Sequence, residues 1–399
     1  MFSKRRIPDV LFLMAIGILL GPVLGWVTPD TLVEFGSIFA SLTLLFILVD
    51  SGFDMHIDDL RHYLLGMVQV TVSSFIISMA VVAVVAHYMA ALEWPTAILV
   101  GSMVAGTGAA IVIPMIKQMK VSAHSRTVLT LESALSGVLC IVVALALMEG
   151  FKIEHIKFLP MFGNVIASFT MSVIIGVIGG MLWAGLLSRV RRLQNSMFLT
   201  PAFMFVVYGI TDSLGFSGAI SALAFGIVLG NASYFDIPFL RLILRNNNMQ
   251  SLRDNEKSFF KEIVFLLKTF FFIYIGVSIP FTDTIALLYG LVIAASLFVA
   301  RFILVAVVGR KNTKTDRLVV SIMIPKGLIS AVLASMPRQI NNAAGYIIIP
   351  NAERIECLVY SIIFFSILIC SLLVLLTHRK IIDHEYNPAN EQIEVYDYE

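Results

Sequence analysis

About twelve long apolar runs divide this sequence, near residues 9–27, 33–53, 64–87, 95–116, 127–148, 162–187, 198–213, 215–231, 259–279, 284–308, 318–336 and 356–377. A helix that crosses a bilayer needs roughly 17–25 mostly apolar residues. The runs are continuous rather than alternating, so they read as membrane helices and not as strands of a β-barrel. Of the 399 residues 58% are hydrophobic and 14% charged, and the mean hydropathy is +0.91. A soluble domain carries about 25% charged residues. The chain is therefore read as an all-α polytopic membrane protein, and the same figures argue against a cytosolic enzyme. A net charge of +2 offers no basic footprint for nucleic acid. Cys140, Cys357 and Cys370 lie in apolar runs without CxxC spacing, so neither a disulfide framework nor a metal site is indicated.

The charges between the runs fix an orientation. With the N-terminus in the cytoplasm, 21 of the 28 Lys and Arg residues fall on the cytoplasmic side. Only Lys152, Lys157, Arg338 and Arg354 fall on the other side, and Lys268, Arg301 and Lys326 lie within runs. That bias supports twelve spans with both ends inside. The basic stretch Met1–Arg6 has no small-residue cleavage site after it, so the first run is expected to stay as a helix. The segment 232–258 carries three consecutive Asn and mixed charges and reads as a cytoplasmic link between two halves. One transmembrane domain is expected over 1–377, followed by an acidic cytoplasmic tail over 378–399, disordered after Lys380.

Of the ionisable residues inside spans, five matter here: Asp50, Glu132, Lys268, Arg301 and Lys326. Each costs at least ~2.5–3.5 kcal/mol to insert, so each needs a reason. Lys268 lies near a span end and is read as snorkelling. Asp50, near the end of the second span, either caps that helix or lines a cytoplasmic funnel. Glu132 is roughly 9 Å into the fifth span and position 137 roughly 16 Å, near the midplane. Ser136 is one turn deeper than Glu132 on the same face. Arg301, deep in the tenth span, is the natural counter-ion for Glu132. The pair either ties two helices together or frames a site.

Two spans look interrupted. The fourth contains Gly106, Thr107, Gly108 and then Pro114; the eleventh contains Pro325, Lys326 and Gly327. Unwound backbone inside a membrane is tolerated only where it meets protein or a water-lined cavity. Two such breaks beside buried charges suggest two repeats of inverted topology with a midplane ion site between them.

At these residues the sequence resembles a known family, the NhaP-like branch of the monovalent cation/proton antiporters. The segments IPDVLFLMAIGILLGP, LFILVDSGFDM, LTLESALSGVLCIV, GFSGAISALAFGIVLGN, FFFIYIGVSIP and IPKGLISAVLA are similar to its ordered signatures over about residues 7–377. The resemblance implies inverted repeats with crossing breaks in the fourth and eleventh spans, and a homodimer in a prokaryotic cell (inner) membrane. It places Thr107 and Gly108 on the family's Thr-Asp and Glu132 on the Glu of the ion-binding helix. Ser136 falls on the polar neighbour of the carrier, Arg301 on the basic residue of the tenth span, and Lys326 on the Arg of "P-R-G". Asp50 falls on the Asp of "LF-x-x-D-x-G". Transported Na+ and H+ are the only ions implied, with Li+ or K+ as alternatives, and no cofactor.

The departures from the pattern are as informative. The aspartate expected to carry cation and proton in turn should stand at 137, where this chain has Gly137, and Gly108 also replaces an aspartate. Three readings stay open. Gly137 stands in an altered antiporter where an Asp belongs; Glu132 serves as the sole titrating carboxylate with Ser136 and Thr107 as neutral ligands; or the chain no longer exchanges ions. A sodium-coupled carrier of a small organic anion is the alternative of a different class. A membrane enzyme is disfavoured, since the fifth span offers no nucleophile apart from Cys140.

Overall fold

The computed structural model describes residues 9–27, 39, 42–43, 45–53, 55, 57–117, 119, 122–151, 158–191, 196–234, 252–279, 281, 283–308 and 313–385. Helix α1 (Asp9–Ile18) runs into a π-helical turn (Leu19–Val23) at Pro22. A helical segment over 45–53 follows, then α2 (Ile57–Ala90), α3 (Trp94–Val104) and α4 (Ala109–Lys117). Next come α5 (Ala123–Phe151), α6 (Phe158–Val190), α7 (Leu199–Ser213) and α8 (Gly218–Gly230). The remaining helices are α9 (Asp254–Ser278), α10 (Thr284–Val308), α11 (Lys314–Ile322), α12 (Leu328–Ala344) and α13 (Ala352–Glu385).

The two expected breaks are present. The fourth run is divided into α3 and α4 at 105–108, and the eleventh into α11 and α12 at 323–327. Pro114 lies inside α4, so the glycine pair and not the proline makes the first interruption. Among the described residues, five stretches are long and apolar enough to cross a membrane: Val70–Ala90, Val128–Phe151, Ala167–Leu187, Thr284–Val307 and Ala352–Thr377. The half-helices at the breaks are too short to qualify singly. At the C-terminus helix α13 runs through Glu385, and 386–399, most of the expected tail, lie outside the described residues. So does most of the expected link, 235–251.

Backbone polar groups have no water partner in hydrocarbon, which makes helices the only economical form for these runs. Helices in lipid then pack through small residues that let backbones approach. Gly17 of α1 lies against the Ile273 carbonyl and Gly276 of α9. Gly226 and Gly230 of α8 lie against the backbone of Val49 and Phe53 in the 45–53 segment. Two apolar clusters result. One draws on α1–α5, the C-terminal half of α9 and α10–α13, with Leu48 of the 45–53 segment and Ala219 and Leu223 of α8; the other joins Leu45, Phe46, Val49 and Phe53 with α6–α8 and the N-terminal half of α9. The breaks lie in the first cluster.

Candidate functional site

Helix α5 presents Glu132, Ser136 and Cys140 at successive turns of one face, since residues four apart stack along a helix. Each meets a different part of the crossing. Glu132 pairs with Arg301 of α10 through two bonds: Arg301 Nη1 donates to Oε1 at 2.5 Å and Nη2 to Oε2 at 2.6 Å. The guanidinium also donates from Nη1 to Ser74 Oγ on α2 at 2.8 Å and from Nε to the Val320 carbonyl on α11 at 3.2 Å. Glu132 is 5% and Arg301 6% exposed. Only the planar fork of arginine meets both carboxylate oxygens at once. Removing one member would leave a bare buried charge, at a cost of about 3–5 kcal/mol.

One turn on, Ser136 Oγ accepts the Thr107 backbone N–H at 3.1 Å and lies 3.2 Å from Thr107 Oγ1. A further turn on, Cys140 Sγ accepts the Gly106 N–H at 3.0 Å. The Gly108 N–H donates to the Pro325 carbonyl of the other break at 2.8 Å. These three donors are freed by the interruption of the fourth run, and each finds a partner within protein, the condition for unwinding in a membrane. The breaks cross at two glycines. A Cβ on Gly108 would stand 2.7 Å from Gly327 Cα, and one on Gly327 2.6 Å from Gly108 Cα. The crossing at this separation excludes side chains at both positions.

Lys326 is 1% exposed and donates from Nζ to the Gly106 carbonyl at 3.1 Å, with the Ala105 carbonyl at 3.5 Å. These carbonyls lie just past the C-terminal end of α3, where the helix dipole places partial negative charge. The lysine thus serves as a cationic cap on a half-helix. A compact ammonium suits that role better than a guanidinium fork does. Its own backbone N–H donates to Ser366 Oγ on α13 at 3.0 Å.

Gly137 is buried on α5, one residue on from Ser136. A Cβ there would meet only the Ile329 Cδ1 within 4 Å, at 2.9 Å. The structure thus brings Thr107, Gly108, Glu132, Ser136, Gly137, Arg301 and Lys326 to one crossing. Asp50 lies on the 45–53 segment, whose Leu48 packs in the first cluster and whose Val49 and Phe53 pack in the second. Lys268 is half-buried on α9. Sequence reasoning missed Ser74, Cys140 and Ser366 as acceptors at the site. It also missed Glu356 on α13, buried and accepting from Tyr360 Oη at 2.9 Å and Tyr274 Oη at 3.4 Å. The only signal for Cys140 was its spacing of four from Ser136.

The sequence signature described as sodium/hydrogen exchanger, transmembrane, matches residues 1–378. The chain belongs to this family. Its members are cation/proton antiporters, transporters rather than enzymes. Na(+)/H(+) antiporter 1 of Methanocaldococcus jannaschii is 24% identical over 379 residues, which cover 88% of this chain and 81% of that protein. K(+)/H(+) antiporter NhaP2 of Shewanella baltica is 26% identical over 239 residues, covering 58% of this chain and 41% of that protein. The structure of the sodium proton antiporter MjNhaP1 from Methanocaldococcus jannaschii at pH 8 matches with a TM-score of 0.75 at 20% identity, covering 94% of each chain. This exchanger chain therefore shares the helical membrane fold of MjNhaP1.

Proposed function

We propose that this chain is built as an antiporter of a monovalent cation, Na+ or alternatively Li+ or K+, for protons, and that its exchange is impaired because Gly137 occupies the carrier position. The observation that carries this reading is the contrast between the two positions on α5. Both oxygens of Glu132 are held by Arg301, which also donates to Ser74 and to the Val320 carbonyl. A carboxylate with both oxygens engaged in this way is held as a structural partner and has little left to offer a passing ion. Position 137 follows Ser136, whose hydroxyl lies 3.2 Å from that of Thr107, and among the described residues a Cβ there would meet one flexible methyl. A carboxylate there would complete a set of hard oxygen ligands suited to an alkali cation.

In the intact cycle, one midplane carboxylate holds a proton or a cation and never both. Competition for that group gives obligatory exchange. The first bundle then moves against the second, and exposes the crossing to each side in turn. We assign twelve spans in inverted repeats, both termini in the cytoplasm of a prokaryotic cell, and a homodimer, in keeping with the charge bias and the family. Thr107, Ser136 and the backbone at Gly108 act as neutral ligands, while Arg301 and Lys326 hold the frame.

The test is a pH-gradient assay in everted membrane vesicles, with Na+, K+ or Li+ added to the chain as it stands and to Gly137→Asp. The variant is expected to dissipate the gradient and the unaltered chain to leave most of it. Equal exchange by both would transfer the carrier role to Glu132. No response from a correctly inserted variant would sink the antiport reading.

A further inference from the structure

A cavity of about 560 Å³ opens between the two bundles at the end of α5 remote from Arg126. Glu149, Asp212, Ser217 and Gln339 line it near the ends of their helices, so its mouth is polar and acidic. Acidic mouths concentrate cations. Val142 of α5 and Val332 of α12 line it further in, where polar groups give way to apolar ones. The lining face of α12 carries Val332, Met336 and Gln339 at helical spacing. At 100° per residue that same stripe continues one turn inward to Ile329, the second residue of the helix. Ile329 is half-buried, whereas Gly137 behind it is buried. Its Cδ1 stands 2.9 Å from where a Cβ on Gly137 would lie.

We infer that Ile329 is the barrier between this cavity and the Thr107–Ser136 hydroxyl pair, resting in space that a side chain at position 137 would contest. The inference deepens the antiport reading, on which its functional meaning rests, by naming the residue that controls cation access from this side. A hydrated cation that enters through the acidic mouth meets a branched alkyl group with no ligand to offer in exchange for water. The group is one flexible side chain on a half-helix that begins at the break. It can yield by rotation without disturbing the Gly108–Gly327 contact. Access to the crossing is thereby set by the size of residue 329.

Access can be read without transport. A thiol is introduced in the full-length chain in native membranes by Gly137→Cys, and separately by Val142→Cys as a cavity-wall reference. Each is made with and without Ile329→Ala. A charged, membrane-impermeant methanethiosulfonate is applied to either membrane face, and modification of the peptide holding the new thiol is followed by mass spectrometry. Val142→Cys should be modified from one face in both backgrounds. Gly137→Cys should react at least tenfold more slowly than Val142→Cys while Ile329 is present, and at least tenfold faster from that same face after Ile329→Ala. Ile329→Val removes only the Cδ1 methyl; it should give an intermediate rate, and it replaces the alanine variant if that one does not fold. A Gly137→Cys rate that ignores the size of residue 329, or a Val142→Cys thiol that reacts from neither face, would overturn the inference. If the labelling pattern holds while Gly137→Asp gives no antiport, the barrier stands and the antiport reading falls.

Discussion

Gly108 and Gly137 both stand where the family resemblance implies an aspartate, yet their surroundings differ in kind. At Gly108 the obstacle is backbone, the Cα of Gly327, and backbone at a crossing cannot step aside cheaply. At Gly137 it is the tip of an isoleucine, which can change rotamer. Forcing a side chain into a packed interior typically costs about 1–3 kcal/mol, and most where nothing can give. Gly108→Asp should therefore lower the melting temperature of the detergent-purified protein well below that of Gly137→Asp, as followed by size-exclusion chromatography after heating. Similar losses for both would contradict the crossing described above. The Glu132–Arg301 pair and the shared face of Glu132 and Ser136 were legible in the sequence, because charges inside apolar runs demand partners and spacing of four shares a face; Thr107 was brought to the site only by the family resemblance. Ser74 and Ser366 were not. Buried serines and threonines in helices commonly bond their own preceding turn, as Ser172, Ser371 and Thr377 do here. Nothing in the sequence separates those from the two that accept from Arg301 and Lys326.

Among the elements, the broken helices carry the argument and their ends need stabilising. Helix α12 ends on Gly345 in the left-handed region at φ 74°, a conformation glycine adopts without strain. Outside the apolar stretches, two carboxylates secure helix starts. Glu256, near the start of α9, accepts from Arg191 Nε at 2.8 Å, Arg191 Nη2 at 2.6 Å and the Arg253 N–H at 2.8 Å. Burial pushes its carboxyl up, but these donors outweigh burial and hold it below the ordinary range. Asp316 at the start of α11 behaves likewise, with burial outweighed by the Ser122 N–H at 3.1 Å and neighbouring hydroxyls. A carboxyl lowered in the folded state adds stability above its unfolded value of about 4. That stability is lost as pH falls through the lower folded value. Glu256→Gln should thus lower the melting temperature at pH 7, and the gap to the unaltered chain should narrow below about pH 4. A gap that is constant with pH would rule out the ionised pair as its source. The interruptions themselves were legible from Gly-Thr-Gly and Pro-Lys-Gly at mid-run. That Pro114 sits inside α4 was not, since a proline inside a run reads as a breaker wherever it stands.

For the whole molecule, the two clusters meet along α9, α8 and the 45–53 segment and part at the cavity, with Ile329 one turn inward of its lining stripe on α12. The membrane class and the runs were legible because hydrocarbon admits few backbone forms. The cavity and the Ile329–Gly137 contact were not, for they depend on how distant helices pack. On the reading proposed above, the paired charge, the Thr107 and Ser136 hydroxyls, the capped half-helices and the acidic cavity make an antiporter's frame with no carboxylate at position 137. The most direct measurement of that claim is cation-induced proton release. Purified protein in weakly buffered detergent solution is given Na+, K+ or Li+, with choline as control, and the proton yield per chain is followed with a pH indicator near neutral pH. Gly137→Asp should release up to about one proton per chain, since cation and proton compete for one carboxylate, and the chain as it stands should release none. Equal release from both proteins, or none from a folded Gly137→Asp, would contradict the account.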